Sequence, residues 1–220
     1  MGLGGQLNRE DNVTEKLDGQ NIMISWKDGK LIAARNNAGL GTDPNCVLLV
    51  SEDAHSSFVK CIRVMGLDTR NLVRIKTDNQ GRMDINDLRN SLDKCSIENK
   101  KIFAIVATLG TTVRGAIDPI KEISDICKQR NIWLHIDGSI GGIFAITSIP
   151  IEGLNNINQA NSITINPQKI IGITKTSSLL LVSNISTLEN TFNTGLPLSL
   201  IHISEPTRRT PISYAVFCLK

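Results

Sequence analysis

The sequence of 220 residues predicts an α/β fold in which helices cover both faces of a mostly parallel sheet. From about residue 45, short apolar runs alternate with amphipathic segments of helical length. Such alternation indicates parallel strands, because a helix between two strands returns the chain to the sheet edge from which it started. The apolar runs are nearly continuous rather than alternating, which is typical of strands buried on both faces.

Six apolar runs are predicted to be strands. In chain order they are CVLLV (46–50), LVRI (72–75), the beginning of KIFAIVATLGTT (101–112), IWLHID (132–137), SITI (162–165) and SSLLLVS (177–183). These runs are too short for an ordinary helix, and several are rich in β-branched residues.

Three helices between these strands are predicted from their capping signals. Ser56 or Ser57 caps the first helix, Asp84 caps the second, and Asp118 caps the third. Pro119 follows Asp118 at the first helical position, where a missing N–H costs nothing. The second and third helices each gather apolar residues on one face, namely Ile85, Leu88 and Leu92, and then Ile120, Ile123, Ile126 and Cys127.

Three segments of the chain differ in character. Residues 45–197 contain all of these elements and are predicted to form one large domain. Residues 1–44 begin with a polar, loop-like stretch and finish with KDGKLIAARN (27–36), which is predicted to end as a helix. Residues 198–220 show no clear periodicity, and their LSLIHISEPTR and ISYAVFCL resemble a translated sequencing adapter. We therefore interpret this tail as non-native sequence.

Composition argues against several classes of protein. Three cations and one glutamate give the tail a net charge of +2, so only +1 of the formal +3 belongs to the remainder, which gives no indication of nucleic-acid binding. The five cysteines lack CxxC spacing and the three histidines are unpaired, so no zinc site or disulfide framework is predicted. We find no secretory signal and no apolar run of membrane-spanning length, and therefore expect a cytoplasmic protein without membrane contact.

Four strand ends are predicted to carry the functional site, since ligands of such sheets bind beyond the carboxyl ends of the strands. These ends are residues 52–55, 108–112, 137–142 and 166–169. Taken singly, a lysine beside an apolar run is ordinarily a solvated strand end, and an aspartate there ordinarily joins a structural network. Taken together, a nucleophilic amine and a carboxylate that keeps a pyridinium nitrogen protonated suit pyridoxal phosphate.

Four motifs resemble, in the same order, those of the group II pyridoxal-phosphate-dependent amino-acid decarboxylases, a family that includes the aromatic-amino-acid and glutamate decarboxylases. They are SEDAHSS (51–57), VATLGTTVRGAIDPI (106–120), IWLHIDGSIGG (132–142) and INPQKIIG (165–172). The resemblance extends over roughly residues 31–184 and implies the large domain of a fold type I pyridoxal-phosphate enzyme. It also implies an incomplete chain, since the family's small C-terminal domain is missing, and a homodimer at full length.

The resemblance implies roles for three central residues. Lys169 of INPQKIIG would form the Schiff base with the coenzyme, and Asp137 would pair with the pyridinium nitrogen. His55 would stack on the ring and assist proton transfer. The implied reaction is decarboxylation of an L-amino acid, in which the bond to the α-carboxylate is held perpendicular to the ring so that its electrons enter the π-system.

Four further residues are implied in coenzyme binding. Thr112 would lie at the polar edge of the ring, and Ser139 under the ring face opposite His55, where the family usually has alanine. Asn166 would help to bind the phosphate. Gln168 stands where the family usually has a histidine near the phosphate, and its amide can still donate a hydrogen bond.

The phosphate-binding loop of the family cannot be identified in this sequence. A Ser/Thr-Gly-Gly motif should precede LIAARN, but the sequence there reads MISWKDGK (23–30), so Ser25 and backbone N–H groups near Gly29 are the alternative anchors. Two other readings therefore stand beside a decarboxylase, namely a non-catalytic homologue with a binding or assembly role, and another lyase reaction on the same fold. Intact Lys169 and Asp137 argue against the first, and the histidine of DAHSS argues against the second.

Overall fold

The computed structural model of the protein describes residues 23–27, 30–34, 43, 45–148, 150–151, 153–174, 177–192 and 214–218. The strands are β1 (Met23–Lys27), β2 (Lys30–Ala34), β3 (Cys46–Ser51), β4 (Leu72–Ile75), β5 (Lys101–Thr108), β6 (Trp133–Asp137), β7 (Ser162–Ile165), β8 (Ser178–Val182) and β9 (Tyr214–Cys218). The α-helices are α1 (Ser57–Val64), α2 (Ile85–Ile97), α3 (Ile120–Arg130), α4 (Pro167–Ile170) and α5 (Ile185–Phe192). Short 3₁₀ helices cover Thr69–Asn71, Gly141–Ile146 and Leu154–Gln159. Within these residues, no helix is long and apolar enough to cross a membrane.

Strands β3 to β9 form one sheet in the spatial order β4-β3-β5-β6-β7-β8-β9. All pairs from β4 to β7 are parallel, whereas β8 runs antiparallel to β7. In the described part of the connection between β7 and β8, the one helix is the four-residue α4, which is too short to carry the chain back along the sheet. The sheet is therefore mostly parallel, as the sequence predicts, with a reversal at β8 that the alternation of elements did not indicate.

Helices cover both faces of this sheet, as predicted. The larger core lies between the sheet and helices α2 and α3, and includes Leu49, Leu88, Leu92, Ile105, Ile123, Ile126 and Leu134. A second core lies on the opposite face under α1, whose Ile62 is fully buried. Alternate side chains of a strand point to opposite faces. Because β3 and β5 contribute to both cores, their sequences are apolar at nearly every position.

The predicted N-caps hold for α2 and fail for α3. Asp84 accepts hydrogen bonds from the backbone N–H groups of Asn86 and Asp87 at 2.7 and 3.0 Å. Helix α3 instead has Pro119 at its N-cap and no side-chain cap. A proline in that position leaves the preceding residue outside the helix, and Asp118 turns its carboxylate inward to other backbone N–H groups. The prediction that Asp118 caps α3 is therefore wrong.

The N-terminal segment contains a hairpin instead of the predicted helix end. Strands β1 and β2 pair antiparallel, with Met23 opposite Ala34. The helical prediction is therefore wrong for residues 31–34, which lie in β2, and the rest of LIAARN lies outside the described residues. In the sequence, two five-residue runs flank Asp28-Gly29, a pair strongly favoured in two-residue hairpin turns. This local signal outweighs the helix propensity of leucine and alanine.

The C-terminal tail contributes one strand to the structure. Strand β9 pairs parallel with β8, with Tyr214 opposite Ser178. The rest of residues 198–220 lies outside the described residues. The interpretation of this tail as non-native sequence, and the division of the chain at residues 45 and 198, stay predictions.

Candidate active site

The four predicted strand ends lie together at one edge of the sheet. Strands β3, β5, β6 and β7 are consecutive neighbours and run parallel, so their carboxyl ends point the same way. At the end of β6, Asp137 is opposite Thr108 of β5 on one side and Thr164 of β7 on the other. Residues in register on a parallel sheet point to the same face, so Asp137 has a threonine on either side.

The chain after Asp137 turns tightly against both neighbouring strands. Asp137 Oδ1 accepts a hydrogen bond from the Ser139 N–H at 3.1 Å, and the Asp137 carbonyl accepts one from the Leu109 N–H at 2.9 Å. A Cβ on Gly138 would lie only 2.9 Å from the Thr164 carbonyl oxygen, so this position admits glycine alone without displacement of β7. The turn holds the predicted residue Ser139, which is partly buried, directly beside Asp137.

A hydrogen-bonded network leads along β6 and β7 towards Asp137. Trp133 Nε1–H donates to Ser162 Oγ at 2.9 Å, and Ser162 Oγ lies 2.8 Å from Nδ1 of His135. His135 Nε2 lies 3.3 Å from Thr164 Oγ1. Burial lowers the pKa of His135 to about 4, against the opposing effect of the nearby Asp137 charge, so the ring is neutral at physiological pH. After accepting from the indole, the Ser162 hydroxyl still has a proton to donate and a second lone pair, so either neutral tautomer of His135 fits between Ser162 and Thr164.

Sequence reasoning missed this network, although a signal for it exists. In WLHID the residues at 133, 135 and 137 alternate with Leu134 and Ile136, which are buried in the larger core. The alternation indicates that Trp133, His135 and Asp137 share one face of β6, opposite the face that is buried in the larger core. The partners on β7 depend on strand pairing and are not readable from local sequence.

The loop after β5 presents Thr112 at its tip. The N–H groups of Gly110 and Thr111 both donate to the Ala116 carbonyl, at 3.1 and 2.9 Å, and Thr111 Oγ1 accepts from the Ala116 N–H at 3.0 Å. Gly115 closes the loop with a φ of +65°, a left-handed conformation that favours glycine. Thr111 is therefore buried as a structural residue of the loop, whereas the predicted residue Thr112 is exposed.

The loop after β3 presents His55 and is tied to the loop of Thr112. The Ser57 N–H donates to His55 Nδ1 at 3.2 Å, and Ser57 Oγ lies 2.8 Å from the same nitrogen. Since Nδ1 accepts, Nε2 carries the proton of the neutral ring. Arg114 Nε lies 3.7 Å from Asp53 Oδ2, and this ion pair joins the two loops that carry His55 and Thr112.

Lys169 lies on the one-turn helix α4, directly beyond β7, and is exposed. Its N–H donates to the Asn166 carbonyl at 3.0 Å. Asn166 Oδ1 accepts from the Ser178 hydroxyl at 3.0 Å, and Gln168 Oε1 lies 3.5 Å from Ser177 Oγ. Both amide side chains are thus oriented through their oxygens, which leaves their NH₂ groups as donors for a ligand.

The structure brings the predicted residues to one edge but does not join the central three to one another. Among the described residues, no hydrogen bond or ion pair links the side chains of Lys169, Asp137 and His55. Thr108 is 3% exposed at this edge, and its Oγ1 makes no hydrogen bond to any residue that the structure describes. A buried hydroxyl without a partner costs free energy, and a polar ligand beside Asp137 would relieve that cost.

Comparison with known sequences defines the class of protein. The sequence profile described as the pyridoxal-dependent decarboxylase conserved domain matches residues 34–199. The match covers most of the chain, which therefore belongs to the pyridoxal-dependent decarboxylase family. The family indicated by the four motifs is confirmed.

Individual relatives agree with this assignment. The chain is 35% identical over 133 residues to the acidic amino acid decarboxylase GADL1 of Xenopus tropicalis, and the match covers 60% of this chain and 26% of that protein. The crystal structure of mouse CSAD matches with a TM-score of 0.65 and 31% identity, covering 69% of this chain and 32% of that one. The glutamate decarboxylase domain of the diaminobutyrate-pyruvate transaminase and L-2,4-diaminobutyrate decarboxylase from Vibrio parahaemolyticus matches with a TM-score of 0.58 and 29% identity, covering 62% and 30%. The chain thus spans about a quarter to a third of the length of these relatives.

The fold class and the coenzyme predicted from the sequence are confirmed by these comparisons. Pyridoxal phosphate is the coenzyme of the family, and the sheet matches those of its solved members. The residues present at the carboxyl edge fit this coenzyme, because they offer an amine at Lys169, a carboxylate at Asp137, an imidazole at His55 and an unpaired hydroxyl at Thr108. The individual roles of the predicted site residues stay predictions.

Proposed function

We propose that the chain is part of the coenzyme-binding domain of a pyridoxal-phosphate-dependent carboxy-lyase that decarboxylates an L-amino acid. The observation that carries this proposal is the convergence of the four family motifs on consecutive parallel strand ends, with Asp137 near the middle. A site for this chemistry needs an amine, a carboxylate and a proton-transfer group around one ligand. The order of the strands, and not only the order of the motifs, supports such an arrangement.

Lys169, Asp137 and His55 are the residues proposed to hold the coenzyme. Lys169 supplies the primary amine that binds the coenzyme's aldehyde, and its exposed position beyond β7 leaves the amine accessible. Asp137 would pair with the ring nitrogen and keep it protonated. His55 would stack on the ring, and the Ser57 N–H that donates to its Nδ1 leaves Nε2–H available to hold or move a proton. When bound, the coenzyme supplies the electron sink for the bond broken at the α-carboxylate.

Four residues are proposed to orient the coenzyme within the site. Thr112 at the loop tip would contact the polar edge of the ring, and Ser139, which follows Asp137 in the tight turn after β6, would contact a ring face. Asn166 and Gln168 donate from their amide NH₂ groups to the phosphate, a role supported by the engagement of their oxygens with β8 and the segment before it. Ser25 of β1 remains the alternative phosphate anchor, and Gly29, the other one predicted, lies outside the described residues.

We further propose that the full-length protein is a homodimer of the cytoplasm that acts on an amino-acid substrate. Large apolar side chains are exposed after the same strand ends that carry the site, namely Val113, Ile146, Ile170, Ile171 and Ile173. Such a concentration supports coverage of this edge by another chain or domain. Light scattering of the full-length protein tests the assembly, and a monomer at micromolar concentration would contradict it.

Coenzyme binding by the wild-type chain and by Lys169→Ala tests the proposed site. The wild-type chain should develop the visible absorbance of the lysine-bound coenzyme, and borohydride reduction with peptide mapping should place the label on Lys169. Lys169→Ala should lose both signals, because its side chain has no amine to form the bond. Lys60→Ala, which removes an exposed lysine of α1, is the matched control and should keep both.

Carbon dioxide release from acidic and aromatic L-amino acids, measured on the full-length protein, tests the reaction. Release by the wild type and not by Lys169→Ala supports a decarboxylase. Coenzyme binding without release favours another lyase reaction on the same fold, and absence of coenzyme binding favours a non-catalytic homologue. A label that persists in Lys169→Ala refutes the lysine assignment.

A further inference from the structure

Asp118 is the fully buried carboxylate of the described residues, and the proposed coenzyme contacts do not use it. The residue is 1% exposed. Its Oδ1 accepts the Met83 N–H and its Oδ2 accepts the Thr108 N–H, each at 2.7 Å. Its own N–H donates to the Thr108 carbonyl at 3.0 Å. Asp118 therefore bonds to both the N–H and the carbonyl of Thr108 and joins Thr108 to Met83. We call these three hydrogen bonds the clamp.

Hydrogen bonds, and no ion pair among the described residues, hold this buried carboxylate. Within the described part of the chain, no lysine or arginine lies at ion-pair distance from it. Burial raises the pKa of Asp118 to about 6; the two N–H groups oppose this rise, and the charges of Asp78 and Asp53 add to it. An ionised carboxylate buried without a cation destabilises the fold unless its hydrogen bonds are well formed. The hydrogen bonds that Asp118 accepts from Met83 and Thr108 are therefore the feature to explain.

These bonds hold the end of β5 beside Asp137. Thr108 is the register partner of Asp137, and the next residue, Leu109, donates its N–H to the Asp137 carbonyl at 2.9 Å. The loop that presents Thr112 begins immediately after them. Met83 anchors the clamp from outside the site, since it lies in the segment between β4 and α2. A displacement of Thr108 would therefore move Asp137 and Thr112 with it.

We propose that Asp118 is a positioning residue that fixes the carboxyl ends of β5 and β6 for the coenzyme, an inference that rests on the proposed function. Two oxygens of one carboxylate each accept an N–H from a different segment. Asparagine has almost the same shape but only one acceptor oxygen, and its NH₂ group would face a second donor. Asp118→Asn therefore opens one side of the clamp while it removes almost no volume.

The comparison of Asp118→Asn with Asn71→Ala separates positioning from general stability. Asn71 is also buried, and its Nδ2 donates to the Cys46 carbonyl at 2.8 Å, but at the amino end of β3. Both variants lose a buried hydrogen bond between segments, and we expect both to lower the Tm. Only Asp118→Asn should weaken coenzyme binding, by about tenfold or more, as measured by absorbance titration. Amide exchange at Thr108 and Met83 in the coenzyme-free chain should accelerate only in Asp118→Asn.

A second measurement uses the wild-type chain and decides the matter if Asp118→Asn does not fold. If the clamp positions the carboxyl ends of β5 and β6 for the coenzyme, coenzyme binding must in turn slow amide exchange at Thr108 and Met83. This follows because coupling between two sites is reciprocal. Slower exchange at Met83, which lies outside the site, supports the proposal. Protection confined to residues 137–142 and 166–169 overturns it.

The outcomes with the two variants are equally distinct. Wild-type coenzyme affinity in Asp118→Asn, or an equal loss of affinity in Asn71→Ala at matched Tm, overturns the positioning role. A wild-type chain that binds no coenzyme contradicts the proposed function and, with it, the positioning role. This holds even if faster amide exchange in Asp118→Asn shows that the clamp exists.

Discussion

Single residues at the carboxyl edge differ in whether their buried polar atoms have partners. Thr108 and Thr111 belong to the same motif, and each is 3% exposed. Thr111 Oγ1 accepts the Ala116 N–H at 3.0 Å, whereas Thr108 Oγ1 has no hydrogen-bond partner in the described part of the chain. A paired hydroxyl stabilises the free chain, and an unpaired one is useful only when something binds beside it. The two threonines therefore have opposite expected roles.

Substitution of each threonine by valine, which has nearly the same shape, tests this difference. Thr111→Val leaves the Ala116 N–H without its acceptor and should lower the free energy of unfolding by about 1–3 kcal/mol. Thr108→Val removes only an unpaired hydroxyl, so the free chain should be equally stable or slightly more stable, while coenzyme binding weakens. Urea unfolding with and without pyridoxal phosphate measures both effects. Similar losses of stability in the two variants would contradict the assignment.

The residues of the site were predictable to the extent that strand ends are predictable. Asp137 ends one predicted strand and Lys169 lies shortly after another, and the rule that ligands bind beyond such ends selects both without any contact information. Their supporting residues were not predictable in the same way. The ion pair of Arg114 with Asp53 joins loops that only the strand order makes neighbours, and His135 finds its partners on β7.

At the scale of elements, capping separates helices whose ends are fixed locally from those fixed by packing. Asp84 caps α2 with two hydrogen bonds from backbone N–H groups. Ser56 occupies the N-cap of α1 but makes no side-chain cap bond. Helix α1 therefore depends on burial of its apolar face, in which Ile62 is fully buried.

Alanine at each N-cap position measures this contrast. Asp84→Ala should lower the free energy of unfolding by about 1 kcal/mol, because two N–H groups of the first turn lose their acceptor. Ser56→Ala should have a much smaller effect, since no cap hydrogen bond is lost. Thermal or urea unfolding of the two variants provides the measurement. A larger loss in Ser56→Ala than in Asp84→Ala would show that the caps are assigned to the wrong helices.

Two elements show why local signals were insufficient. Asp-Pro before an apolar face suits an N-cap followed by a first-turn proline, but the same pair also suits a buried acceptor in front of a helix, and the hydrogen bonds to Met83 and Thr108 decide for the second. Residues 31–34 have good helix propensity, yet they pair with β1. In both cases a partner distant from the local motif determines the conformation.

At the scale of the whole molecule, the partly buried His135 and the buried Asp118 give the stability opposite dependences on pH. Burial lowers the pKa of His135 from 6.5 to about 4, so between these values the unfolded chain binds more protons there, and this contribution to stability is lost as the pH falls. Burial raises the pKa of Asp118 from 3.8 to about 6, so the folded chain binds more protons there, and this contribution is lost as the pH rises through about 6.

Charges around His135 and Asp118 do not change the direction of either pKa shift. Asp137 faces His135 and favours its protonated form, but burial has the larger effect. Asp78 and Asp53 act on Asp118 in the same direction as burial. The cavity of about 460 Å³ beside Asp118 is also lined by charged residues of both signs, namely Arg82, Asp84, Lys121 and Glu122. We therefore expect the two contributions to offset each other in the wild-type chain between about pH 4 and pH 6.

Substitution of one group at a time should reveal the opposing contributions. The stability difference between wild type and His135→Gln should shrink as the pH falls from 7 towards about 4.5, because the wild type is losing the contribution of its neutral histidine. The difference between wild type and Asp118→Asn should grow over the same range, because the wild type is gaining from protonation of the buried carboxyl. Exposed carboxylates whose pKa values are lowered, such as those of Glu52 and Asp68, are common to all three chains and cancel in each difference. Urea unfolding at constant ionic strength gives both curves, and slopes of the same sign would contradict the opposite contributions assigned to His135 and Asp118.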